Sequence, residues 1–356
     1  MSTDTHVAVI GAGQAGLAMG HHLTRLGCDF LLLDAATELG ASWRGRWDSL
    51  RLFTPARHNG LPGLPFPGHP GHHPGKNAVA DYLTHYAATF DLPVRLGTRV
   101  TGLHTDNGAL TLTTTGHPLR AHHVVMATGP FQTPHIPAAA TGLSPQVTTV
   151  HSAHYRNPAS LPDGPVLVVG SGNSGAQIAA ELTLHGRHVF LSGRTLPHLP
   201  QRILGRDLFQ VFDRLGLLTL DTDSALGRRM RNREAVIGTD LRTPARHGLL
   251  TRLGPITAAD GHRVTFTGGA HLDVNTVIWA TGHRHHLPWL DPGLLHTDGR
   301  PRHTRGRTPL PGLYVLGLPW QTHRASALLA GVGRDAALLA AHITTRPASR
   351  TPRKTR

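Results

Sequence analysis

The sequence predicts an α/β fold with parallel sheets in which one strand–loop–helix unit is built twice. Three observations predict it. Apolar, strand-like runs alternate with helix-like stretches along the chain. Two glycine loops each follow such a run and open a helix: Gly11-Ala12-Gly13-Gln14-Ala15-Gly16 and Gly170-Ser171-Gly172-Asn173-Ser174-Gly175. Two matching triplets, Ala127-Thr128-Gly129 and Ala280-Thr281-Gly282, each end a later apolar run. The loops stand 159 residues apart and the triplets 153, so the two units have similar size and the same opening and closing signals.

The elements follow in order. A strand at 6–10 leads into the first glycine loop and a helix at about 15–26. A second strand, 30–33, ends at Asp34. A Pro/Gly-rich stretch covers 55–75. The spacing of Val79, Tyr82, Leu83 and Tyr86 predicts a helix over 77–90 with one apolar face. Short strands are expected around Val94, Val100 and 110–114, then a buried strand at 122–126. The second unit begins with a strand at 165–169, a helix from about 176 to 184, and a strand at 188–191 that ends near Arg194. Its closing strand is 276–279. The segment 197–253 is rich in Arg and Leu and is expected to be helical around 206–218. It would either wall a substrate pocket or form a homodimer interface, and the sequence leaves that choice open.

Composition narrows the class. With 39% apolar and 16% charged residues the chain is globular, and it contains no run near the roughly 18 apolar residues of a membrane span. The N-terminus enters a strand without a basic leader, so a cytoplasmic protein is expected. The formal charge is +14, but lysine occurs only at Lys76 and Lys354 and the arginines are scattered without a nucleic-acid motif. No nucleic-acid partner is expected, and the compact basic run in 343–356 is expected to be a disordered tail. The single cysteine, Cys28, excludes a redox disulfide pair or a cysteine metal cage and is expected to be a small buried apolar side chain. The histidines of 69–75 lie in a Pro/Gly setting without fixed ligand spacing, so no metal is expected.

The glycine loops carry the chemistry. A tight turn after a strand, bare backbone and a helix N-terminus together make a cradle for the pyrophosphate of a dinucleotide. Two Rossmann-like domains are therefore expected. In the first, Asp34 stands 23 residues beyond Gly11, where its carboxylate would accept ribose hydroxyls and repel a 2′-phosphate. That suits FAD or NAD. In the second, the corresponding place reads Ser192-Gly193-Arg194, and a guanidinium there suits the 2′-phosphate of NADPH, although in so arginine-rich a chain a plain surface arginine is the rival reading.

The segments Glu38 to Arg44 and Asp48 to Pro55, the two loops, both triplets and Gly312-Leu313-Tyr314-Val315-Leu316-Gly317 closely resemble the flavin-containing monooxygenase family, nearest its short bacterial and plant YUCCA-like members. The resemblance spans about residues 6–342. It implies a glutathione-reductase-like arrangement: an FAD domain (1–155 and 287–342) interrupted by an NADPH domain (156–286). It implies an NADPH- and FAD-dependent monooxygenase that forms a C4a-(hydro)peroxyflavin from O2 and passes one oxygen atom to a small organic substrate. A flavin reductase that passes electrons to a quinone or carrier without oxygen insertion is the alternative. One departure stands out. Where the family linker reads FxGxxxHxxx and then Trp or Phe, this chain has Pro145, Val147, His151 and Tyr155. This argues against a Baeyer–Villiger enzyme.

By position in the family pattern, Arg51, Asn173 and His151 are the candidates for catalysis. Gly11, Gly13, Gln14, Ala15, Gly16, Asp34, Trp43, Thr54, Val100, Ala127, Thr128, Gly129 and Gly317 are expected around FAD. Gly170, Gly172, Asn173, Ser174, Gly175, Arg194, Ala280, Thr281 and Gly282 are expected around NADPH. Ser174 as a helix cap, His151 as a structural histidine and Trp43 as core packing are the plain alternatives. Gln321, His323 and Arg324 are expected near flavin or substrate.

Overall fold

The computed structural model describes residues 3–106, 108–231 and 233–345. The first unit contains β1 (Thr3–Ile10), α1 (Gln14–Arg25), β2 (Phe30–Leu33), α2 (Lys76–Thr89), β3 (Val94–Arg95), β4 (Val100–Asp106), β5 (Ala109–Thr114) and β6 (Leu119–Met126). The second contains β7 (Thr148–His151), β8 (Val166–Val169), α3 (Asn173–Leu184), β9 (Val189–Ser192), β10 (Leu250–Leu253) and β11 (Thr276–Trp279). The chain then supplies β12 (Leu313–Val315) and α4 (Leu329–Thr344).

In the first sheet the order is β3-β2-β1-β6-β5-β4. Besides its parallel pairing with β1, β6 serves two partners: residues 119–121 pair antiparallel with β5, and Val124 to Met126 pair parallel with β12. The C-terminal return thus completes the sheet begun at the N-terminus. β1 is apolar throughout its second half because both its faces are covered. Val7 and Val9 pack with Leu17, Val332 and Leu339 beneath α1 and α4, while Ala8 and Ile10 pack with Met126 and Leu313 on the other side.

The second sheet is wholly parallel, in the order β10-β9-β8-β11-β7. Its four-residue strand β8 is entirely buried. Val166 and Val168 face α3, and Leu167 and Val169 face an antiparallel trio formed by Ile256–Asp260, Arg263–Phe266 and His271–Asp273.

Several boundaries differ from the sequence reading for local reasons. β7 pairs into the second sheet although it precedes residue 156. α4 begins at Leu329 and reaches Thr344, beyond the expected end at 342, and the remaining tail, from 346, lies outside the described residues. Within 197–253, a two-stranded hairpin (Arg202–Ile203 with Arg206–Asp207) precedes a helix at Leu208–Arg214. Asp207 accounts for the switch: its carboxylate accepts the Phe209 N–H at 2.8 Å and so caps the new helix. Cys28 is half-buried, not buried, and packs at the margin of the first core.

Candidate functional site

Each glycine loop is built by three different steric demands, met identically in both units. Gly11 and Gly170 have φ of +106° and +109°, and a Cβ there would lie 2.6 Å from the Ala127 carbonyl and 2.2 Å from that of Ala280. The triplets are therefore the walls against which the loops turn. A Cβ on Gly16 or Gly175 would lie 1.8 Å from the carbonyl of Gly11 or Gly170, so only glycine lets helix and strand approach. Gly13 and Gly172 are different. A Cβ on either meets nothing within 4 Å. Among the described residues their bareness serves no contact, and it keeps open the cradle at the start of α1 and α3 where a pyrophosphate fits. On this test both loops fit a dinucleotide.

Around the first loop, Asp34 accepts the Ala12 N–H at 2.7 Å and the Ala36 N–H at 2.8 Å. The carboxylate thus braces the loop and keeps acceptor capacity for a ribose. Gln14 donates to the Ala327 carbonyl at 2.7 Å, and a Cβ on Gly317 would lie 2.8 Å from Ala15. These contacts bring the returning 317–328 segment against the N-terminal loop. There Gln321 and His323 are buried, and Arg324 stacks on Phe212 with its guanidinium carbon 4.3 Å from the ring centre. Gln321 Nε2, Arg324 Nη1 and Asp335 Oδ2 are buried without a partner among the described residues, as expected where a polar ligand is to be received. Thr54 is buried and fixed by a reciprocal pair with Asn59, whose Oδ1 accepts the Thr54 hydroxyl at 2.6 Å while its Nδ2 donates to the Thr54 carbonyl at 2.9 Å. Asn59 escaped the sequence reading although it lies only five residues on. Trp43 is half-buried against the first core, Val100 is buried at the start of β4, and the Thr128 hydroxyl accepts from Gln132 at 2.8 Å.

The three residues expected to be catalytic are engaged elsewhere. Arg51 is exposed, its guanidinium 3.4 Å from the His73 carbonyl. Asn173 spends its amide on backbone: Nδ2 donates to Ala235 O at 3.1 Å and Oδ1 accepts Ile237 N–H at 2.9 Å. It anchors the 235–237 strand to the second loop. His151 Nδ1 accepts the Ala153 N–H at 3.1 Å, so Nε2 carries the proton and donates to Gly282 O at 3.0 Å. It ties the linker to the second triplet as a structural histidine. Ser174 forms no cap; the helix is preceded by Gly172 without a side-chain bond. Thr281 donates its hydroxyl to the His135 carbonyl.

The two chain crossings between the units pair with each other, Thr133–Pro134 against His283–Arg284. His283 stacks edge-on to His151 with ring centres 5.0 Å apart. Burial, then the adjacent His151, push the His283 imidazole from 6.5 down to about 4. The unfolded chain therefore takes up a proton below about pH 6.5 that the folded chain refuses until about 4. The stability that His283 contributes is fully present above 6.5 and is lost as pH falls through that window. We expect the Tm to drop between about pH 7 and about pH 5, and less steeply in His283→Asn; an equal slope in the variant would remove His283 from the cause.

The 197–253 segment, held to the second unit through Asn173, reaches across to residues of the first. Gln201 Nε2 donates to Phe53 O at 3.0 Å, His73 lies 3.3 Å from Asp207, and Phe209 stacks on Phe53 with ring centres 5.5 Å apart. Further on, Thr222 N–H donates to Thr322 O at 2.9 Å, and Arg305 pairs with Asp221 at 3.0 Å and Asp223 at 3.1 Å. A small apolar cluster of Phe209, Phe212 and Leu218 with Phe53, Ala325 and Leu328 packs the segment against the first unit.

With this geometry in place, comparison with known proteins is decisive. The model of the pyridine nucleotide-disulphide oxidoreductase family matches residues 8–201, more than half the chain. The chain belongs to that family. The oxidoreductase is 43% identical over 337 residues to the uncharacterized oxidoreductase CzcO-like of Geobacillus kaustophilus, covering 94% of this chain and 96% of the relative. It is 30% identical to indole-3-pyruvate monooxygenase YUCCA1 of Oryza sativa subsp. japonica, covering 87% and 85%. Its backbone matches the flavin-containing monooxygenase from Stenotrophomonas maltophilia with a TM-score of 0.82 at 28% identity, over 96% of this chain and 99% of that one. The resemblance to flavin-containing monooxygenases drawn from the motifs therefore holds along the whole chain. The oxidoreductase is a flavin-dependent monooxygenase of a pyridine-nucleotide-using family. Cys28 is the sole cysteine, so the chain cannot form an internal dithiol–disulphide pair.

Proposed function

We propose that this enzyme binds FAD at the first glycine loop and NADPH at the second, and inserts one atom of O2 into a small organic substrate. The observation that carries the reading is the pair of bare glycines, Gly13 and Gly172, each open at a helix N-terminus, with Asp34 beyond one loop and Arg194 beyond the other. When bound, the flavin supplies hydride acceptance and oxygen activation. The chain's part is placement and exclusion of water. Asp34 holds the first loop and receives a ribose. Gln14 and Gly317 draw the 317–328 segment over the same site. Ser171 donates its hydroxyl to the Arg194 carbonyl at 2.5 Å and so sets a cation at the end of β9 for the 2′-phosphate. The apolar rings of 197–253 pack on Phe53 and Ala325, and in this reading they keep water from the reacting centre.

Two measurements test this. Enzyme reduced by NADPH and mixed with oxygen is expected to show a long-lived absorbing species distinct from reduced and oxidised flavin. Direct return to oxidised flavin with equivalent hydrogen peroxide would favour an electron-passing reductase instead. Arg194→Ala is expected to raise KM for NADPH on the order of 10–100-fold, the loss of a charge-assisted contact, with little change for NADH. Equal effects on the two coenzymes would remove Arg194 from phosphate binding.

A further inference from the structure

We propose that Glu234 sets how strongly this enzyme prefers NADPH over NADH, as a carboxylate held beside the guanidinium that takes the 2′-phosphate. The proposal rests on the reading of Arg194 given above and adds a second, opposing residue to it.

Arg194, Leu196, Pro197, Arg233 and Glu234 surround a cavity of about 290 Å³. Arg194 enters it from the end of β9. Glu234 enters from the other side, out of the segment 197–253, and its carboxylate lies 3.8 Å from Arg194 Nη2. Its place is not accidental. The next residues are fixed to the second glycine loop, because Asn173 bonds both Ala235 and Ile237, and Val236 is fully buried. The same asparagine that starts α3 therefore fixes where Glu234 stands relative to the ligand cradle.

The Arg194–Glu234 pair contributes little to the fold, since the side chains are 79% and 72% exposed. Its consequence falls on the ligand. A 2′-phosphate at Arg194 must displace the carboxylate from its partner and then sit beside a like charge. A 2′-hydroxyl meets the opposite situation, for Glu234 can accept its hydrogen bond as Asp34 can in the first unit. Arg233, adjacent on the rim, adds a second cation that partly offsets the repulsion. Glu234 therefore lowers affinity for NADPH and supports NADH. Like charges about 5 Å apart in largely aqueous surroundings change affinity by about five- to twentyfold.

The test uses the flavin-loaded full-length protein and equilibrium binding of NADP⁺, NAD⁺ and 2′,5′-ADP, the last as a probe without nicotinamide. Glu234→Gln is expected to tighten NADP⁺ and 2′,5′-ADP by about five- to twentyfold while NAD⁺ is unchanged or slightly weakened. Glu234→Lys should extend the same trend. A ratio of NADP⁺ to NAD⁺ affinity that does not move in Glu234→Gln overturns the proposal. Arg194→Ala, measured alongside, separates the two readings. If it selectively weakens NADP⁺ while Glu234→Gln changes nothing, only the role of Glu234 falls. If it does not, the phosphate lies elsewhere and both fall.

Discussion

Gly13→Val is expected to give a folded protein that retains no FAD, and Gly172→Val a flavin-loaded protein that NADPH no longer reduces efficiently. The expectation comes from an asymmetry among the loop glycines. Replacing Gly11, Gly16, Gly170 or Gly175 drives a side chain into backbone at 2.6 Å or less, so loss of cofactor there would be confounded with loss of fold. Gly13 and Gly172 have open space at the same atom. A valine fits the empty protein and fills the place where the pyrophosphate approaches backbone N–H groups. Losing two or three charge-assisted hydrogen bonds weakens binding by on the order of 100-fold or more. Circular dichroism and Tm of the apo forms should match the parent, while flavin content and the rate of NADPH-dependent flavin reduction separate the two variants. If Gly172→Val also lost its flavin, or Gly13→Val kept it, the assignment of one dinucleotide to each loop would be wrong.

Asp335→Ala is expected to destabilise the C-terminal return by about 2–4 kcal/mol, the cost of leaving the buried Thr322 hydroxyl and His323 ring without their acceptor. Asp335 sits in α4 with no exposed side-chain surface. It accepts the Thr322 hydroxyl and lies 3.3 Å from His323 Nδ1. Ser326 accepts the His323 N–H at 3.0 Å and donates to the His323 carbonyl at 2.8 Å, so the whole 322–326 turn is wound about this carboxylate. The turn continues to Ala327, whose carbonyl receives Gln14 from the first loop. Loss of Asp335 should thus lower Tm by roughly 5–10 °C and release flavin at a lower temperature than global unfolding. Asp335→Asn, which keeps one acceptor, should fall between. Unchanged flavin release in Asp335→Ala would mean that the turn does not support the cofactor.

What the sequence disclosed and what it withheld divide along a physical line. The glycine loops were legible because close backbone approach demands glycine at fixed spacing, and the triplets because the loops turn against them. The return of the chain to the first sheet is what the family resemblance implies, and in the structure β12 pairs parallel with β6. Side-chain roles were harder, because they depend on partners distant in the chain. Asn173 looked free to meet a nicotinamide, yet its amide is matched by backbone about sixty residues on. Arg51 lies in a segment that the resemblance places at the flavin, but its side chain turns outward to His73 O. Asp335 and Glu234 carried no local signal at all; one acquires meaning from Thr322 and His323, the other from Arg194. Segment 197–253 has no period that marks it as a clasp, since its contacts are divided between two surfaces formed by residues 53–73 and 305–325.

The most direct test of the account is the stoichiometry of coenzyme binding on one sample. Calorimetric titration of NADP⁺ into flavin-loaded protein should give one NADP⁺ per chain with the flavin fully retained, because the two cradles open from different sheets. Release of FAD as NADP⁺ binds, or no NADP⁺ binding to the flavin-loaded form, would contradict it.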